Sequence, residues 1–452
     1  MQQLSQQATE LRPAPPRQVL ERLRRRRRID RMITDWGTTP GKLRVTMVVL
    51  VLGVLLSGGV GAYAAYVRAE ATRDIAERIE PLNADVTTLY RSLAAADATV
   101  TSGFLSGSLE PSWVRARYDD QVTEATARQA QAGAQAGEDL VTADGIADIA
   151  AQLPVYTGLV ERARANNRQG LPLGVAYLRR ASELMQSSIL PEAEERRQAA
   201  ELREAYRRAE PVPVVALAAC AVSLAGLIWA QLFLLQRTHR VFNIGLVAAT
   251  GAVLVGLLWW TVTWVISAGY LQDSRGHSKS VSDALGPAQI AALEARATES
   301  LALVARDGGA TDDDFTAQMQ LLARNEGAGG ALGAARRLAT DQEGRDLTDT
   351  AIGEALGYQE AHQEVRRLVA DGEYRQAVEA ALRTDPASDL TTFDRLDSAL
   401  TDAVERERTA FMGDIDRAQR WLTGLAVGTG ALALAAAVGV ALGVRSRLEE
   451  YR

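Results

Sequence analysis

Trp113, Arg115, Arg117 and Tyr118 fall within six consecutive residues. These side-chain types dominate binding hot spots, because each joins a large contact area to a polar or cationic handle. They follow Gly107–Pro111, a stretch rich in chain-breaking residues, and so form a candidate docking tip for a partner. The plainer reading makes Trp113 a cap on a hydrophobic core and leaves the arginines solvated. The matching place later in the chain, Asp312–Phe315, is acidic, so the two tips are not expected to bind the same partner. Asp312-Asp313-Asp314 lacks the spaced ligands and glycine of a calcium loop. It reads as a helix start, where acids are favoured.

Catalytic and metal chemistry find little to work with. His239, His277 and His362 are scattered, and Cys220 is the single cysteine. There is no zinc-protease HExxH, no GxSxG nucleophile elbow, no phosphate-binding glycine loop and no kinase signature. The expectation is a protein that is not an enzyme and carries no cofactor or metal. The run Arg24, Arg25, Arg26, Arg27, Arg28 is the strongest charge feature. It precedes an apolar span, where basic clusters set orientation and attract anionic lipid. Cytoplasmic or lipid contact is therefore expected of it, and nucleic acid is not.

The elements that must position these residues begin with four apolar spans: 45–66, 212–235, 244–268 and 421–444. None contains Asp, Glu, Lys, Arg or His, and each is long enough to cross a bilayer as a helix, which takes ~20 apolar residues. Ala62-Tyr63-Ala64 resembles a cleavage site, but the long leader and long apolar run favour an uncleaved anchor. The spans lack ionisable groups, which argues against an ion or proton path. Small residues recur at four-residue spacing, at Gly53, Ser57 and Gly61 in the first span, and at Ala431, Ala435 and Gly439 in the fourth. Such faces allow close helix packing, within the chain or in a homodimer. Tyr63, Tyr66, Trp259, Trp260, Trp264 and Trp421 suit an interfacial aromatic belt.

Charge supplies orientation. Residues 1–44 carry eleven Lys/Arg against four Asp/Glu, a net of +7, and the segments 236–243 and 445–452 are also basic. Residues 67–211 carry seventeen Arg against twenty-two acids, a net of −5, and residues 269–420 seventeen Lys/Arg against twenty-eight acids, a net of −11. The positive-inside rule puts both termini and the turn 236–243 in the cytoplasm of a bacterium, in a multi-pass plasma-membrane protein. Segments 67–211 and 269–420 then lie outside.

Those segments read as helical. Ile75, Ile79, Leu82, Val86, Leu89, Leu93, Ala96 and Val100 alternate spacings of four and three, the seam of a coiled coil or bundle. Breakers at Gly107–Pro111, near Gly133–Gly145, and at Asn166–Gly170 divide the first segment into four helices. Asp307–Thr311, Gly327–Gly330 and Asp371-Gly372 do the same for the second. Tyr156 and Gly170 recur as Tyr358 and Gly372 at an offset of 202, and Ile79-Glu80-Pro81 as Leu285-Gly286-Pro287 at an offset of 206. Pro81 and Pro287 are candidate kink points. The expected fold is an all-α membrane protein: four transmembrane helices and two extracytoplasmic antiparallel four-helix bundles, related by tandem duplication.

Gly372-Glu373-Tyr374-Arg375-Gln376-Ala377-Val378, followed by Phe393-Asp394-Arg395-Leu396 and a long heptad helix, is similar to the second half of the four-helix-bundle sensor domain of chemoreceptors and sensor kinases. The whole layout resembles the actinobacterial four-pass membrane sensors of the GlnX type. The resemblance implies an amino-acid-binding lipoprotein docked outside and a soluble serine/threonine kinase G inside, and it carries over no site residues. The chain continues for eight residues past the last span, so any signal is expected to pass to another protein. The expected function is non-enzymatic transmembrane signalling of an extracytoplasmic amino acid. The alternatives are a structural or assembly scaffold, or an accessory subunit of an amino-acid importer.

Overall fold

The computed structural model describes residues 39–107, 109–136, 140–191, 214–238, 243–306, 310–383 and 388–449. Arg24–Arg28 lie outside the described residues. The described chain is helical, with no β-strand among these residues. It divides into two compact units. One holds residues 1–66, 212–262 and 424–452, and the other residues 67–211 and 263–423.

The membrane unit is built from α1 (Thr39–Asp74), α6 (Val214–Thr238), α7 (Ile244–Ser280) and α14 (Leu425–Glu449), of which α1 and α7 continue into the second unit. All four contain stretches apolar and long enough to cross a membrane, which makes this a multi-pass membrane protein. Their shared core includes Leu50, Val54, Leu227, Leu246, Val253, Ala436 and Val440. Polar groups tie the spans together, as expected where no water competes. Ser223 Oγ donates to Gly53 O at 3.0 Å, and Gln231 Nε2 donates to Thr250 Oγ1 at 2.7 Å.

The small-residue faces are only partly those expected from spacing. Gly53 meets Ser223, Ser57 is buried, and Gly61 accepts the indole N–H of Trp260 at 3.3 Å. In α14 the packing face runs through Ala433, Ala436, Ala437 and Val440, with Gly439 against Gly245. Ala431 and Ala435 are exposed, so of the two expected kinds of packing they do not make the one within the chain. Gly and Ala occur around much of this helix, so four-residue spacing alone did not select the buried side. Trp260 and Trp264 are likewise buried, unlike Tyr63, Tyr66, Trp259 and Trp421.

The second unit contains α2 (Glu80–Phe104), α3 (Ser112–Ala136), α4 (Leu140–Arg168) and α5 (Leu173–Leu184) from the first polar segment. The second segment supplies α8 (Gly286–Ala305), α9 (Ala310–Leu322), α10 (Gly330–Leu338), α11 (Gln342–Ala370), α12 (Tyr374–Leu382) and α13 (Asp389–Leu422). Helices break at the expected glycines, but the second segment also breaks at 339–341 and after Leu382, where no glycine announces it, so it holds six described helices where four were expected. Gly170 (φ +67°) and Gly372 (φ +81°) take left-handed conformations in equivalent turns, a geometry glycine adopts without a Cβ penalty. Each segment folds back on itself, and the two then pack through α2 and α8 around one core. Ser102 Oγ and Ser300 Oγ bond across that contact at 2.9 Å, and Arg91 Nη2 donates to Asp397 Oδ1 of α13 at 3.0 Å.

The candidate kink points have a defined geometry. A π-helical turn, Ile75–Ile79, separates α1 from α2, and another, Val281–Leu285, separates α7 from α8. The N–H of Glu80 reaches Ile75 O and that of Gly286 reaches Val281 O, five residues back. Pro81 and Pro287 follow directly. A proline has no N–H for the carbonyl four residues earlier and its ring collides with it, so the wider turn relieves that collision. A third turn of this type, Met185–Ile189, precedes Pro191 and was not anticipated from sequence.

Candidate functional site

In the second unit each segment buries an acid bonded to a tyrosine. In the first, Asp97 accepts from Ser182 Oγ at 2.6 Å and from the Tyr156 hydroxyl at 3.2 Å. In the second, Glu299 accepts from the Tyr358 hydroxyl at 2.8 Å. Asp97 and Glu299 stand at the offset of 202 that also relates their tyrosines. Each segment thus buries an acid–tyrosine pair at the same internal spacing.

The two acids differ electrostatically. Burial pushes the Asp97 carboxyl from its ordinary 3.8 up to about 6, against the hydrogen bonds of Ser182, Tyr156 and Gln186. Burial also opposes charge on Glu299, but His362 and then Arg296 outweigh it and hold that carboxyl down at about 2. Arg296 Nη1 bonds Glu299 at 2.9 Å and also pairs with Asp389, while its Nη2 donates to Ala381 O at 3.3 Å. Burial and then the Glu299 charge push Asp389 well up, with Arg296 opposing. The cluster therefore holds Glu299 ionised beside an Asp389 that resists ionisation.

Asp97 gives a pH prediction. Its folded-state value is raised, so its contribution is fully present below the unfolded value and is lost as pH rises through about 6. A displacement from 3.8 to about 6 amounts to about 3 kcal/mol. Asp97→Asn keeps a partner for both hydroxyls and is expected to flatten this slope and to stabilise the protein above pH 6 by up to that amount. Denaturation midpoints of both proteins across pH check it, and parallel pH profiles contradict it.

A cleft opens beside the Arg296 cluster, where the two segments meet. Its walls come from α2 (Thr99, Ser102, Gly103), α3 (Trp113, Arg117, Gln121), α8 (Leu293, Arg296) and α13 (Phe393, Asp394). It is a shallow cleft with a cavity volume of about 50 Å³. Gly103 permits the close approach of α2 to α3, since a Cβ there would lie 2.7 Å from Val114. At the mouth Arg117 Nη1 stands 3.6 Å from Asp394 Oδ1, with both side chains nearly half exposed, at 43% and 47%. Burial lifts the Asp394 carboxyl above its ordinary range, with Arg117 and then Arg296 opposing.

The structure splits the aromatic–arginine tip. Trp113 is 57% exposed, and Arg117 enters the cleft. Arg115 faces elsewhere and pairs with Glu161 at 3.3 Å. Tyr118 is only 4% exposed, which corrects its place in an exposed docking patch. It lies four residues from the buried Val114, on the same inward face, under the Arg164 guanidinium at 4.4 Å. Asp394, Thr99 and Gln121 were not singled out from sequence, because only folding brings α13 to the α2–α3 pair.

A separate buried cluster surrounds His277. Its Nδ1 is 2.5 Å from Glu407 Oε2, and its Nε2 is 3.2 Å from Thr340 Oγ1 and 3.6 Å from Asp414 Oδ2. The Glu407 bond raises the His277 pKa, against burial. Among the described residues no group of three His, Cys, Asp or Glu side chains is placed to hold a metal ion.

Residues 71–207 match the family model described as an actinobacterial sensor domain. The matched stretch spans the first polar segment and includes α2, the tip and the Asp97–Tyr156 pair. No curated protein and no solved structure matches the chain. The match supports a sensing or signalling role for an actinobacterial type of sensor.

Proposed function

We propose that this chain is a non-enzymatic transmembrane signal transducer of the GlnX type. In this reading the polar unit faces outward and senses an extracytoplasmic amino acid through a docked solute-binding lipoprotein. The signal passes to a cytoplasmic serine/threonine kinase. The basic segments 1–44, 236–243 and 445–452 form the inner face.

One observation carries the proposal. Helices α1 and α7 each begin in the membrane unit and end in the polar unit, and each then passes through a π-helical turn and a proline at equivalent positions. A π-turn can revert to the α-helical register, shifting every following residue around the helix axis by about 100°. Two such points give the fold a pair of discrete states. A ligand drives a transition only by preferring one of them.

The test reconstitutes the full chain in nanodiscs with the lipoprotein and kinase encoded in the same genome. Kinase activity is expected to change when aspartate or glutamate is added, and Pro81→Ala with Pro287→Ala is expected to abolish that change while all three proteins still associate. Kinase activity indifferent to both amino acids overturns the proposal.

A further inference from the structure

We infer that the cleft between α2, α3 and α13 is a binding site for a compact zwitterion, an α-amino acid with a short neutral side chain, taken up by this chain itself. The inference goes beyond the lipoprotein-borne signal of the sensor reading, adding a second ligand bound directly, and rests on that reading for its biological purpose.

The mouth of the cleft presents one cation and one anion side by side, Arg117 and Asp394, 3.6 Å apart. Both are nearly half exposed, and an exposed pair of this kind adds little to stability. Parting the two side chains is therefore cheap. An α-amino acid carries its carboxylate and ammonium on one carbon. Inserted at the mouth, it gives Arg117 a carboxylate and Asp394 an ammonium, replacing one weak ion pair with two charge-assisted contacts.

The remaining walls select the side chain. Thr99, Ser102 and Gln121 make this wall polar but uncharged, with Ser102 Oγ already bonded to Ser300 Oγ. Arg296 lies behind them but is committed to Glu299, Asp389 and Ala381 O, so an acidic side chain finds no free cation there. Asp394 is the one carboxylate lining the cleft among the described residues, so a basic side chain finds no second anion. The exposed indole of Trp113 stands at the same cleft, apolar surface that a bound ligand would cover. The site also joins the two segments, because Arg117 belongs to one and Asp394 to the other. A bound zwitterion bridges them.

Isothermal titration of the full chain in nanodiscs, without any partner, tests this. Glycine, L-alanine and L-serine are the probes; ethanolamine and lactate each lack one charged group, and L-glutamate and L-lysine add one. At least one of the three probes is expected to bind, with the four analogues weaker by about tenfold or more. Arg117→Gln and Asp394→Asn are each expected to weaken that binding by at least about tenfold, the loss of one hydrogen bond to a charged group. Arg395→Gln, which removes the ion pair to Glu354, is expected to leave it unchanged. Thermal melting of each variant confirms that it folds. Absence of binding by all three probes, or binding that survives both cleft variants, overturns the assignment. If the probes bind only when the lipoprotein is present, the cleft assignment falls and the sensor reading stands. If they bind the chain alone and kinase activity never responds to an amino acid, the cleft stands and the sensor reading falls.

Discussion

Arg296→Met is expected to destabilise the polar unit by about 3–5 kcal/mol, the usual cost of removing one partner from a buried ionic group. The Arg296 side chain is almost wholly enclosed and serves two acids at once, Glu299 and Asp389, each as buried as itself. Its removal leaves the buried Glu299 charge with only His362, Tyr358 and the adjoining Asp389 carboxyl, and takes away the cation that opposes the upward shift of Asp389. Methionine fills a similar volume, so the loss reports charge rather than packing. The triple variant Arg296→Met, Glu299→Gln, Asp389→Asn is expected to recover most of the loss, because no uncompensated charge then remains buried. Chemical denaturation in detergent, followed by tryptophan fluorescence, checks both. A loss below about 1 kcal/mol for the single variant, within the range of ordinary surface substitutions and small core changes, contradicts the reading.

The second large effect belongs to the membrane unit. Gly245→Val is expected to force α7 away from α14 and to lose most of the correctly folded protein. A Cβ at Gly245 would lie 2.5 Å from Gly439 O and 2.6 Å from Gly443 Cα. Both are backbone atoms, so the helices must part rather than a side chain rotate. Parting them also breaks the bond from Asn243 Nδ2 to Gly443 O, which is 2.7 Å long. Overpacking of this kind costs typically about 1–3 kcal/mol and occasionally more. Gly251→Val, where a Cβ meets nothing within 4 Å, is the matched control. The heat stability of both variants in detergent decides the matter, and equal stability of the two refutes the packing assignment.

The features written in chain-breaking or strongly periodic residues were the legible ones. The seam from Ile75 to Val100 predicted the inward face of its helix, and all of its members except the half-buried Leu82 are buried. Glycines marked many of the turns, and the paired prolines marked the irregularities in the two long helices. The sharing of one core by the two segments was hidden. Helix α2 is enclosed on a second side by Ala94, Ala95 and Ala98. Alanine is equally at home in water or in a tight contact, so its presence announced neither. Asp97 and Glu299 were invisible for a related reason: an acid reads as a solvated group until its partners are known. Of the candidate tip, residue type correctly drew attention to Trp113 and Arg117. Helical phase removed Tyr118, and the anion that completes the cleft came from a helix remote in sequence.

The offset that superposes Asp97 on Glu299 also superposes Arg117 on Met319 and Trp113 on Phe315. Met319 is buried, and Phe315 is stacked on His362 at 3.5 Å. Both segments carry the acid–tyrosine pair, and only the first carries the cationic mouth. Two identical chains related by a two-fold axis would present such a mouth twice, with half-filled states between empty and full. Here the two segments are fused and unequal, so titration of the cleft should end at one equivalent per chain. Within a chain, occupancy then follows a simple hyperbola, with no twin site to sharpen or blunt it.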